Sequence, residues 1–302
     1  MLYRDIYNFA ANKIDEDIVA IEADTQAASN NTQKVADPDK DITNPEAKQS
    51  SAEKSRSIIN EIMDLIANLL RGFTTLFDEV GVKVSFLLET DKGFISEYKR
   101  AKESYVPNKS VTLIVHKYDN KTAEATRNLF HKVVSDLDNT FTRSAYGEKL
   151  DDSCIIEGSE AEFEQKLLKA LKAPDKCKNM NDYFKLMEAQ LMSMNEKYQV
   201  TVTPKDVSSL EPVALLKTEA LKVKIKYDKS YVYTSSNKIS NNLKLVMRNT
   251  NLSDTIRNRA EKYLRRTIKV HEYFKRYLDL YYKVKISMIN NARACLKKLY
   301  NF

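Results

Sequence analysis

The residues able to do chemistry are few and scattered. His116, His131 and His271 are the three histidines, and Cys154, Cys177 and Cys295 the three cysteines. No two histidines lie within one helical turn and no HExxH occurs, so a zinc ion has no local nucleus. No CxxC pair exists, and three widely spaced cysteines give no disulfide framework. Cys154 with His116 or His131 could in principle form a nucleophile–base pair, but nothing in the surrounding sequence supports it. Neither GxxxxGK[ST] nor GxGxxG is present, so nucleotide phosphates have no glycine cradle. Asp136 and Asp138, at i and i+2, do not share a helix face, and Asp151-Asp152 suits a turn. His271 sits on a Tyr/Phe-rich stripe and reads as a packed core residue. The expectation is a protein without catalytic residues, metal or cofactor.

A second kind of chemistry is carried by charge. Residues 1–53 have a net charge of −6, residues 54–216 of −2 and residues 217–302 of +15, giving +7 overall. A basic terminal third is suited to nucleic acid or another acidic surface, because each neutralised phosphate releases counterions. Its tyrosines interleave with cations, as on single-strand-binding platforms. Tyr and Arg are equally enriched at protein interfaces, and on one long helix the interface reading is preferred. The candidate interaction surface is Arg257, Arg259, Lys262, Arg265, Arg266, Lys269, Lys275, Arg276, Tyr277 and Lys283. The alternative is nucleic-acid binding through residues 217–302.

The elements that must position these residues are mostly helices. With 5 Gly and 6 Pro in 302 residues, a turn-rich sandwich or barrel is excluded. Residues 1–23 carry Ile6, Phe9, Ile14, Ile18 and Ile21 at helical spacing, which predicts a tethered N-terminal helix. Residues 24–53 are polar and acidic and read as a linker, since they bury too little apolar surface to offset ordering. A helix is predicted from Ile58 to Phe77, stopped at Gly81, and another from Val84 to Tyr105. Glu61, Asp64 and Arg71 interrupt the most apolar run, so no membrane span is expected. The N-terminus lacks the basic-then-apolar design of an export signal, so an intracellular setting is expected.

Short strands are predicted at Ser110–Tyr118, Gln199–Thr203, Leu221–Tyr227 and Tyr231–Thr234. Leu221, Val223, Ile225 and Tyr227 alternate with Lys222, Lys224 and Lys226, a period of two that predicts one buried and one solvated face. Further helices are predicted after Thr122, Ser159 and Asn181. From Ser253 to Leu299 the apolar stripe advances by threes and fours, which predicts a helix about 70 Å long at 1.5 Å per residue, either broken in two near Asn290-Asn291 or projecting to contact neighbours. The expected fold class is mainly α, of the α+β kind. It has a helical body over residues 54–252, a small sheet of three or four short strands, and a long basic C-terminal helix over residues 253–302.

Lys54-Ser55-Arg56-Ser57-Ile58-Ile59-Asn60-Glu61-Ile62-Met63 follows the acidic linker. A strand ending His116-Lys117-Tyr118-Asp119 and the basic C-terminal helix come after it. This layout resembles the uncharacterised structural virion proteins of large tailed bacteriophages that infect low-GC bacteria. The resemblance implies a non-enzymatic assembly role in a phage virion. It also implies contacts with copies of itself and other virion proteins, and residence in the host cytoplasm during assembly. It carries no site residues and no cofactor.

Overall fold

A computed structural model describes residues 45–104, 111–115, 120–145, 154–192, 198–202, 207–215, 218–248 and 254–302. The predicted N-terminal helix and His116 lie outside these residues. In chain order the elements are α1 (Pro45–Ser104), β1 (Val111–Val115), α2 (Asn120–Ala145), α3 (Glu160–Ala170), α4 (Met180–Met192), β2 (Tyr198–Val202), α5 (Val207–Leu215), α6 (Thr218–Arg248) and α7 (Asp254–Tyr300). α1 begins inside the segment read as linker. Pro45 takes the first helical position, where its missing N–H costs nothing.

Four helices build a bundle, and side-chain pairs fix their directions. Thr74 meets Tyr233 and Asp91 meets Thr218, so α1 and α6 are antiparallel. Glu61 meets Arg265 and Asp91 meets Arg293, so α1 and α7 are parallel. Glu124 meets Lys224 and Asp138 meets Ser235, so α2 and α6 are parallel. The result is an up-down-down-up bundle with α7 packed on each of the other three. Phe73 and Phe77 of α1, Phe130 of α2 and Phe274, Tyr277 and Leu278 of α7 fill its middle. At one end Phe94 and Tyr98 of α1 pack with Ala214 of α5 and Leu296, Leu299 and Tyr300 of α7. α3 and α4 cover one flank; Ser159 and Glu162 close a capping box at the start of α3.

The expected α+β fold class is wrong: the described residues form a helical bundle without a sheet layer. Leu221–Tyr227 and Tyr231–Thr234 are not strands but belong to α6. Leu221, Ile225, Asp228 and Val232 are spaced for one helix face, and that face is buried. A strand would have buried Val223 and Tyr227 as well, yet they are 64% and 57% exposed. The other two strands survive only as one antiparallel ribbon, pairing Val111 with Val202 and Val115 with Tyr198.

Gly81 does not stop a helix. α1 runs through it to Ser104, so the two predicted front helices are one element of 60 residues, about 90 Å at 1.5 Å per residue. α7 is unbroken over 47 residues, so of the two alternatives the break near Asn290-Asn291 does not occur. Among the described residues no helix is long and apolar enough to cross a membrane.

Candidate interaction surface

α7 is amphipathic on an α-helical period, so its cations fall on two kinds of neighbour. Those beside the apolar stripe are pulled toward α1, α3 and the turn before α3; those opposite it meet solvent. Arg265 makes a bidentate pair with Glu61 of α1 at 2.8 and 2.9 Å, and also binds Glu261 at 2.9 Å. Arg266 is buried. It donates to the Ile156 carbonyl at 2.6 Å and the Gly158 carbonyl at 3.1 Å, pairs with Glu160 at 3.4 Å, and lies over the Phe163 ring. Lys262 donates to the same Gly158 carbonyl at 2.6 Å. Lys269 reaches Glu160 at 2.6 Å and Glu164 at 3.6 Å. These neighbours hold Glu61 and Glu160 below the usual carboxylate range, through Arg265 and Lys269 respectively.

The remaining candidates divide the same way. Arg276 bonds Asn181 at 3.1 Å and covers Phe184. The alkyl chain of Lys275 lies on Gly72, where an added Cβ would come within 2.9 Å of its Cε. Tyr277 is a core residue whose hydroxyl donates to the Ala123 carbonyl at 2.6 Å. Arg257 is half-buried, and Arg259 and Lys283 are exposed. The ten residues thus form no single cationic face. Glu160, Glu261, Lys262, Arg265, Arg266 and Lys269 instead line a mixed-charge groove of about 480 Å³.

Sequence reasoning missed the polar sites inside the bundle. Asp228 of α6, fully buried, accepts from Arg127 and His131 of α2 and from Tyr282 of α7. Oε1 of Glu124 accepts from Lys224 at 2.5 Å, Lys285 at 2.7 Å and Tyr281 at 2.8 Å. Burial pushes the Glu124 carboxyl up, but these donors more than offset it and bring it down to about 2. Arg293 ties α7 to Asp91, to the Leu87 carbonyl at 3.3 Å and to the Ala214 carbonyl at 3.2 Å. His271 is buried, where its stripe position put it. Polar residues on an otherwise apolar stripe were the available signal.

Cys154 lies in the turn before α3, and no hydrogen bond among the described residues joins it to His131. No described group of three or more His, Cys, Asp or Glu side chains is placed to hold a metal ion. Comparison with known proteins finds no matching family profile, no matching curated protein and no matching solved structure.

Proposed function

We propose that this chain is a non-enzymatic structural component of a phage virion, acting through contacts with copies of itself and with other virion proteins. The observation that carries the reading is on α1. Val82 and Phe86 stand on successive turns of its outer face and are 71% and 65% exposed. A bundle with a well-filled core gains nothing by leaving a valine and a phenylalanine in water one turn apart, and such adjacent apolar exposure marks contact surfaces. The phage assignment rests on the layout resemblance. The internal pairing of Arg265, Arg266 and Lys269 supports protein contacts over a phosphate-tracking groove.

Mass spectrometry of purified particles tests the assignment: the chain is expected among the virion proteins, and its absence would sink the reading. Phe86→Glu is expected to keep the melting temperature of the isolated protein while reducing incorporation into particles. Nucleic-acid binding through residues 217–302 would replace this reading if affinity for DNA fell linearly in log–log plots against salt.

A further inference from the structure

Asp138 of α2, Ser235 of α6 and His271 of α7 meet in the core, all three buried. Ser235 Oγ lies 2.7 Å from Asp138 Oδ2 and 2.6 Å from His271 Nε2. His271 Nδ1 lies 2.8 Å from the Thr267 carbonyl oxygen. A carbonyl oxygen only accepts, so Nδ1 carries a hydrogen. Ser235 has one hydrogen for two short contacts. If it points at His271, Asp138 must bring a proton of its own. If it points at Asp138, Nε2 must be protonated. Both arrangements hold one proton more than an ionised aspartate beside a neutral imidazole. Without that proton, two lone pairs face each other across one of the contacts.

We propose that Asp138, Ser235 and His271 form a one-proton switch that links α2, α6 and α7. With the proton in place, Asp138 donates to Ser235 and Ser235 donates to His271. When the proton leaves to water, the serine hydroxyl turns to the carboxylate and the link to His271 is lost. Burial in a low-dielectric core favours the neutral arrangement. It lowers the His271 imidazolium to about 4. It raises the Asp138 carboxyl to about 6 against the Ser235 hydrogen bond and the charge of Lys238. The switch therefore turns near pH 6, with the proton on Asp138 below it. From α6, Lys238 and Tyr231 bear on the trio. Tyr231, raised mainly by its burial, also feels Asp138 and Asp136 of α2. α7 contributes His271 itself.

The sign of the pH effect follows from linkage. Asp138 has a raised folded-state pKa, so its contribution to stability falls as pH climbs from about 4 to about 6. His271 has a lowered one, so its contribution falls as pH drops from about 6.5 to about 4. In the parent the two slopes oppose each other. Asp138→Asn removes the first alone, because its amide donates to Ser235 as the protonated acid does.

Thermal unfolding of the full chain and of Asp138→Asn between pH 4.5 and 7.5 tests this. The variant-minus-parent difference in melting temperature is expected to start near zero and become positive as pH rises. A difference that does not change with pH, of either sign, overturns the switch. Nitrogen-15 NMR of the parent is a second reading that needs no variant to fold: a neutral Nδ1–H imidazole at His271 at pH 5 is expected, and an imidazolium there refutes it.

Discussion

Arg127 and Asp228 face each other as a buried bidentate pair joining α2 to α6. Nε of Arg127 donates to Oδ2 of Asp228 at 3.0 Å and Nη2 donates to Oδ1. The same carboxylate accepts from His131 Nε2 at 2.8 Å and from the Tyr282 hydroxyl at 2.5 Å. Burial alone would push Asp228 up, but the bonds from His131, Arg127 and Tyr282 outweigh it and keep the group below the usual range. Three helices thus converge on one ion with its lone pairs filled, which makes a buried charge tolerable.

Removing one partner should expose the cost of the other. Arg127→Met keeps much of the side-chain volume but leaves Asp228 without its cation. Breaking a buried pair in this way costs about 3–5 kcal/mol. Urea unfolding is expected to show a midpoint shift of that size with an unchanged slope. A loss below about 1 kcal/mol, the scale of surface ion pairs, would mean that water reaches Asp228.

The misreading of α6 as strands has the same origin. Its buried residues are Thr218, Leu221, Ile225, Asp228, Val232, Ser235, Ser236, Ile239, Asn242 and Leu243, and five of those ten are polar. The partners of Asp228 and Ser235, namely Arg127, His131, Asp138, His271 and Tyr282, come from helices distant in sequence. A polar residue on a buried stripe blurs the 3.6-residue period, and Leu221–Tyr227 alternates over too few residues to separate the periods. By contrast, α7 was legible because its stripe is long and aromatic, and α3 because Ser159 and Pro174 bracket it. The basic balance of residues 217–302 was legible as composition, but the internal pairing of its cations was not. Arg265 finds Glu61 across 204 residues of chain, and Lys269 finds Glu160 across 109. Local pattern does not encode such pairings.

Phe274 is the hub of the aromatic core. Its ring packs on Phe73, Phe130, His131 and Tyr231, with centroids 6.4, 5.8, 4.9 and 6.3 Å away, so it touches α1, α2 and α6 from α7. Phe274→Ala opens a cavity that four helices cannot close together, and such truncations cost about 3–5 kcal/mol. Phe274→Leu preserves most of the volume and is expected to cost under about 2 kcal/mol. Comparing the two in urea separates packing from a wholly dispensable ring. Equal, small losses would show that the core relaxes around the site.

Gly158 is where the turn before α3 is bound to α7, and its backbone requires a glycine. Its φ is +93°, a conformation that side chains rarely adopt. Its carbonyl accepts from Lys262 and Arg266, so the peptide cannot rotate without breaking both bonds. A Cβ here would also come within 2.5 Å of Glu162 Oε2. That oxygen accepts from the Ser159 amide at 2.5 Å and completes the capping box. Gly158→Ala therefore meets strain of about 1–3 kcal/mol in the backbone and displaces Glu162 from the cap. The Glu162 carboxyl, now held low by the Ser159 backbone and hydroxyl, should titrate closer to its ordinary value in the variant. Hydrogen exchange should quicken in the turn and first turn of α3 while α1 and α6 stay protected. Uniform acceleration across all helices would show instead that the turn is part of the global unfolding unit.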